Sequence, residues 1–302
     1  MTTERDRVGV ILNPNAGGGR GRRLLPLVME RLRVEAVMYH LHVTGERGEA
    51  TATAARFVAE GMRLVVAVGG DGTVNEVANG LVEAGGAGQV TLGVVPTGRG
   101  SDFARTLNGQ PEPAAALARV FRGNGRRVDL GRAVFGDGSS RVFVNAAGLG
   151  LDATVAARVA RSHLPGSRVP YLAGVAGALL RYRFLEVDVH ADGTRFTHPA
   201  LAVVVANGRY FGGGLQIAPD AVLDDGRLDL AIIGDLSRVE LIRQVRGVYR
   251  GSHVHHRKFT HLPARSVRVE SQELAQVELD GEVVGNGPVT FTIEPNALSV
   301  IG

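Results

Sequence analysis

The chain has 302 residues, a formal net charge of +4 and no cysteine. That length suits two domains of ordinary size, and the missing thiols exclude disulfides and thiolate metal sites, so the sequence leads to a cytoplasmic location. The positive charge is nearly all arginine, Lys258 being the one lysine, which excludes a Walker A phosphate loop, while the absence of zinc-finger spacing or a basic motif bearing aromatics argues against nucleic acid.

The charged N-terminus leads into a short apolar run over 8–13 that is too brief for a signal peptide. Helix patterns then fall over 22–32, 49–60 and 73–84, and strand patterns over 37–44, 64–68 and 91–95. Alternation of this kind predicts a doubly wound, Rossmann-like parallel sheet with helices on both faces, and such sheets bind ligands at the carboxyl ends of their strands. Three glycine-rich junctions, 13–21, 69–73 and 96–102, fall at such ends and are expected to meet in one cleft.

From about residue 126 the pattern becomes strand-rich, with runs over 127–135, 141–147, 184–190, 194–206, 228–233, 267–270, 275–279 and 289–294. It predicts a largely antiparallel β-sandwich, interrupted by helices near 154–161, 169–182 and 238–246. A last strand over 298–301 is expected to return to the first domain. The expected division is a nucleotide-binding α/β domain over 1–125, joined by 296–302, and a β-rich acceptor domain over 126–295. No apolar stretch approaches the roughly 20 residues that span a bilayer, which predicts a soluble or peripheral protein.

The most informative segment is 64–81, where an apolar run stops at Gly69-Gly70-Asp71-Gly72-Thr73 and a helix pattern begins at once. Glycines permit positive φ and close approach, so backbone N–H groups and the positive helix end can face an anion. Asp71 would repel phosphate unless a divalent cation, or an acceptor hydroxyl needing a base, lies between, which is a phosphoryl-transfer arrangement. The plainer reading is a βα turn with a capping Asp or Thr. Asn13-Pro14-Asn15-Ala16-Gly17-Gly18-Gly19 supplies a second wall, and the stretch 96–105 adds a third glycine turn with Asp102, Arg99 and Arg105. An arginine there neutralises phosphate oxygens during transfer. Asp129, inside a strand pattern, reads by itself as an edge-strand surface charge, and the histidine-rich stretch 253–261, lacking carboxylates, as a solvated loop.

Taken in order, NPNAGGG, GGDGTVNEVANGL, PTGRGSDFAR, RVDLG, NAAGLGLDA, NGRYFGGG, the DDGRLDL run and ELDGE closely resemble the diacylglycerol kinase catalytic family, bacterial soluble lipid kinases above all. The family includes sphingosine and ceramide kinases and shares a related nucleotide-binding fold with NAD kinases. The resemblance implies an ATP-dependent kinase acting on a lipid hydroxyl, diacylglycerol first, with Mg²⁺, at a peripheral membrane surface; a homodimer is compatible with it. It also implies roles. Asp280 is the general base, assisted by Glu282, and Asp71, Asp102 and Asp129 form a chain of carboxylates joined through water to Mg²⁺. Asn13, Thr44, Gly69, Gly70, Gly72 and Thr73 lie at the nucleotide, and Asp225 with the carbonyls of Val222 and Arg227 holds a separate metal. An Asp-Gly hairpin at Asp280 and a β-turn at 222–227 are the structural alternatives.

The third loop departs from the family pattern, with Arg99 in place of Thr and Ser101 in place of Asn. Arg99 is retained as a phosphate ligand by its bidentate donors. The helix over 169–182, flanked by Arg168, Arg181 and Arg183, is either a packed core helix, which the pattern favours, or a membrane-surface element. Rival readings are a kinase of another acceptor (a sphingoid base, a polyprenol or NAD) and a catalytically silent nucleotide- or lipid-binding regulator.

Overall fold

The computed structural model describes residues 7–35, 38–97, 100–109, 112–150, 184–272 and 275–302. The helices expected at 154–161 and 169–182, and Arg99, lie outside the described residues. The chain forms two compact units, Met1–Leu130 with Glu294–Gly302, and Gly131–Ile293.

In the first unit four strands, β1 (Arg7–Leu12), β2 (Met38–Val43), β3 (Leu64–Gly69) and β4 (Thr91–Pro96), run parallel in the order β2-β1-β3-β4. Every residue of β3 is buried, as an apolar run covered on both faces must be. Helix α1 (Ala16–Val34) lays Val28 and Leu32 on one face of the sheet, together with Leu117 and Val120 of α5 (Pro113–Arg122). Helices α2 (Glu49–Ala59) and α3 (Asp71–Glu83) pack together so closely that a β-carbon on Gly80 would lie 2.2 Å from the Thr51 carbonyl oxygen. Helix α4 (Asp102–Asn108) follows β4. Ser299 to Ile301 pair in parallel with Thr91 to Gly93 of β4.

Helix α1 differs from the expected start at residue 22. Gly17, Gly18 and Gly19 take φ of 62, 69 and 86°, a left-handed turn that three successive glycines adopt without a β-carbon clash. Helix α5 was not anticipated, although its alanine-rich run and the Pro at its first turn are helix signals.

The second unit carries an all-antiparallel sheet in the order β12-β11-β10-β7-β14-β15, from β7 (Ala146–Gly150), β10 (Ala202–Ala206), β11 (Leu228–Ile233), β12 (Phe259–Ala264), β14 (Gln276–Leu279) and β15 (Glu282–Asn286). A second layer pairs β8 (Leu185–Ala191) with β9 (Thr194–Ala200) and β13 (Ser266–Ser271), β13 with the first half of β16 (Val289–Ile301), and β5 (Arg126–Phe135) with β6 (Ser140–Phe143). Inward side chains of both layers, among them Phe143, Val189, Val205, Leu230, Val269, Leu279 and Phe291, form the sandwich core. On the outer face of that antiparallel sheet, α6 (Arg238–Arg250) packs Leu241 and Val248 against a buried cluster that includes Val204, Ile233 and Phe259.

Three strand expectations change. The run over 141–147 breaks into β6 and β7, and that over 194–206 into β9 and β10. The runs over 289–294 and 298–301 are instead one strand, because Asn296 takes φ 51° without ending it, a conformation that Asn tolerates better than most residues. Strands β12 and β15 were not expected.

Candidate functional site

In the first unit the parallel register puts Leu12 opposite both Val43 and Val68, and Gly69 opposite Pro96. The next residues therefore emerge at one edge, still held by the ladder: Asn13 N–H donates to Val68 O (2.9 Å), Thr44 N–H to Leu12 O (2.9 Å) and Thr97 N–H to Gly69 O (2.9 Å). The three glycine junctions meet there. Asn13 Nδ2 donates to Thr73 Oγ1 at 3.1 Å, while Asn13 Oδ1 accepts from the amides of Asn15 and Ala16. A β-carbon on Gly17 would lie 2.2 Å from the Thr97 carbonyl oxygen, so the first loop rests directly on the third.

Within Gly69-Gly70-Asp71-Gly72-Thr73 the glycines do different work from that expected, since none of the three is among the positive-φ residues. Gly69 is forced by contact, a β-carbon falling 2.4 Å from Thr73 Cβ. Around Gly70 and Gly72 a β-carbon would meet nothing within 4 Å. Neither torsion nor packing requires glycine at those two positions; both border open space at the N-terminus of α3, where backbone can approach an anion closely.

Asp71 is turned toward the third loop. Its carboxylate accepts the backbone N–H groups of Asp102 and Phe103, each at 3.1 Å, and so caps α4, whose own N-cap residue, Ser101 (φ 44°), makes no side-chain cap. Burial raises the Asp71 pKa above the usual carboxylate range, and those two amides and the Arg105 charge oppose the rise. Asp102 and Ser101 are buried beside it. Thr44 is buried at the end of β2, and the turn after it is pinned by Glu49, whose Oε2 accepts from Gly45 N (2.6 Å) and Glu46 N (3.2 Å). Those amides, with His42 at 2.9 Å, lower the Glu49 pKa.

Asp129 overturns its reading as a surface charge. It is 0 % exposed, and its Oδ1 accepts the Asn296 N–H at 2.7 Å, which fixes the left-handed bend in β16. Sequence reasoning also passed over Thr97. It is 2 % exposed, and its hydroxyl has no hydrogen-bond partner among the described residues. A buried hydroxyl left in that state at a strand end is a group that a bound ligand oxygen satisfies.

In the second unit Asp280 and Gly281 (φ 48 and 92°) make the tight turn between β14 and β15, so the hairpin reading holds. The carboxylate does more than turn the chain. Its Oδ2 accepts Val144 N–H at 2.7 Å, and its Oδ1 accepts those of Asn145 (2.9 Å) and Ala146 (2.8 Å), gathering the amides where β6 ends and β7 begins. Asn145 Nδ2 donates to Tyr210 O (2.7 Å) and Asn207 Nδ2 to Val144 O (2.8 Å). Three sequence motifs, NAAGLG, NGRYFGGG and ELDGE, thus close one buried polar knot. Glu282 pairs with Arg141 at 2.7 Å. Asn145, Asn207 and Arg141 carried no role in the sequence reading; buried Asn in apolar strand runs, where it costs stability unless bonded, was the available signal.

At the loop 222–227, Asp225 Oδ1 accepts the Arg227 N–H at 3.0 Å and Gly226 has φ 71°, a side-chain-closed turn. Burial, reinforced by the charges of Asp225 and Asp220, raises the Asp229 pKa to about 6. Among the described residues no three His, Cys, Asp or Glu side chains gather as a metal set. The loop offers the carboxylates of Asp224 and Asp225 and carbonyl oxygens, hard donors of the class that Mg²⁺ takes, and the negative charge crowded there with Asp220 and Asp229 is what a cation relieves. The solvated reading of the histidine stretch fails for His253, which is 1 % exposed and stacks edge-on against Phe259.

Residues 7–133 match the family model of the diacylglycerol kinase catalytic domain, and residues 145–302 that of the YegS C-terminal NAD kinase beta sandwich-like domain. The chain is 32% identical over 288 residues to the diacylglycerol kinase of Bacillus subtilis (strain 168), covering 94% of this chain and 92% of that protein. This chain belongs to the diacylglycerol kinase family. A diacylglycerol kinase of Staphylococcus saprophyticus is 30% identical over 289 residues, which are 95% of this chain and 92% of the relative. The crystal structure of a diacylglycerol kinase from Bacillus anthracis str. Sterne superposes with a TM-score of 0.79 at 27% identity, covering 99% of this chain and 98% of that one. The protein is a lipid kinase, and membership of a kinase family implies ATP as phosphoryl donor. No helix among the described residues is long and apolar enough to cross a membrane.

Proposed function

We propose that this lipid kinase transfers the γ-phosphate of ATP to the hydroxyl of diacylglycerol, giving phosphatidic acid. The single observation that carries the reading is the open ground beside Gly70 and Gly72, where the two glycines are explained by neither torsion nor packing. The triphosphate lies along the amides there and at the α3 N-terminus, flanked by Asn13, Thr44, Gly69 and Thr73, with Arg99 as an added hydrogen-bond donor to its phosphate oxygens. The buried Thr97 hydroxyl supports a ligand oxygen at the same edge. Asp71 and Asp102 position the third loop, and Asp129 secures the strand beside it.

Asp280 takes the proton from the attacking lipid hydroxyl. Its three amide donors fix the carboxylate's orientation, and Arg141 holds Glu282, two residues further along the chain. Val222, Asp225 and Arg227 are the residues that would hold a separate Mg²⁺. The metal, when bound, supplies charge neutralisation to phosphate oxygens or ties down its loop. Diacylglycerol is favoured over other lipid alcohols because the Bacillus subtilis and Staphylococcus saprophyticus relatives are diacylglycerol kinases.

The test is transfer from γ-labelled ATP to dispersed diacylglycerol, with identification of the lipid product. Label appearing in phosphatidic acid is expected; a screen in which NAD or a sphingoid base is phosphorylated and diacylglycerol is not would replace the acceptor. Asp280→Asn should lower kcat by about 10² to 10⁴, the usual range for a lost general base. Because Asn presents an amide donor to backbone N–H groups that now meet an acceptor, the variant should also lose stability, so its melting temperature and ATP binding are read alongside. A folded variant with parental kcat removes Asp280 as base.

A further inference from the structure

The described helix α6 has a surface that the catalytic reading leaves unused. It starts with a capping box, Ser237 and Glu240 each bonding the other's backbone, and it lays Leu241 and Val248 on the sheet. Its other side is built differently. Val239, Arg243, Arg246 and Arg250 are all exposed and recur at i, i+4, i+7 and i+11, one continuous stripe on a helix of 3.6 residues per turn. Val239 is 58 % exposed and Tyr249, next to the stripe, 39 %.

Among the described residues no carboxylate pairs with Arg243, Arg246 or Arg250. The helix's one acidic residue, Glu240, is held by the side chain and the amide of Ser237 (2.8 Å to the amide) and then by Lys258 at 3.0 Å, and these contacts push its pKa down to about 2. Arginines three and four residues apart repel each other along a helix. The helix dipole relieves that repulsion for Arg250 in the last turn, but not for Arg243 in the middle. Resting on the lipid-kinase reading, we propose that this stripe docks the second unit on an anionic lipid surface. The guanidinium groups meet lipid phosphates while Val239 and the Tyr249 ring enter the interfacial layer. Exposed apolar and aromatic groups beside the arginines are what favour a bilayer over nucleic acid, which offers the same phosphates and no apolar phase.

The experiment is co-sedimentation of the full chain, without nucleotide, with phosphatidylcholine vesicles lacking or containing phosphatidylglycerol. Binding is expected only with phosphatidylglycerol and should weaken as salt rises. Each arginine removed should weaken it about fivefold, so R243Q/R246Q/R250Q should lose roughly 10²-fold in affinity. The same variant should keep parental turnover on a short-chain diacylglycerol free in solution. That second assay separates the two readings, because failure of the parent to phosphorylate the soluble acceptor strikes the lipid-kinase reading and leaves the vesicle result standing. Should the triple variant melt early, Arg243→Gln alone carries the test with its fivefold loss. Parental sedimentation by a folded variant overturns the proposal, as does a variant that loses affinity for duplex DNA and none for vesicles.

Discussion

At the scale of single residues, the glycines of the second loop separate into two kinds that a sequence cannot distinguish. Gly69 sits against Thr73, so Gly69→Ala must displace that side chain and should lower stability by about 1–3 kcal/mol, as overpacking does. Gly70 and Gly72 have room for a methyl group. Gly72→Ala should therefore melt near the parent temperature yet bind ATP more weakly, by isothermal titration; equal ATP affinity would show that the open ground is not the phosphate cradle. Asn207 illustrates the opposite economy. Its amide satisfies Val144 O in a site 1 % exposed, so Asn207→Ala leaves a buried carbonyl short of a donor and should cost about 1–3 kcal/mol in denaturant titration.

At the scale of elements, the ends of helices and strands are held by carboxylates borrowed from elsewhere in the chain. Asp71 caps α4 from 31 residues away, and Asp129 holds Asn296 across 167. Glu49 works locally, tying the turn after β2 to α2. The amides of Gly45 and Glu46 hold its pKa below the usual carboxylate range, so its contribution to stability is present above the unfolded pKa and is lost as pH falls through the folded one. Glu49→Gln should accordingly melt below the parent at neutral pH, and the two curves should converge in acid. A difference that persists at pH values below the lowered pKa would assign the effect to packing instead of charge.

At the scale of the whole molecule, ligand binding is the sharpest probe of which unit holds nucleotide. A ligand at about 100 times its Kd stabilises the form that binds it by about 2.7 kcal/mol. ATP should therefore raise amide-exchange protection first in β3, α3 and the loop joining them, and chelation of divalent ions should shrink the gain. Protection arising only within residues 184–293 would contradict the placement of the triphosphate.

The alternation of periods along the first third, and the order of motifs over the whole chain, were enough to determine the fold class, the family and the strand-end location of the three glycine loops. Local spacing carries that information because period 3.6, period 2 and glycine turns are properties of a few consecutive residues. The purpose of individual carboxylates was decided only by tertiary structure. Asp129 read as a surface charge and is fully buried on Asn296; Asp280 read as base or hairpin and also gathers three amides from residues 144–146. Hydrogen-bond partners more than a hundred positions apart leave no periodic trace, and burial depends on what the folded chain brings alongside.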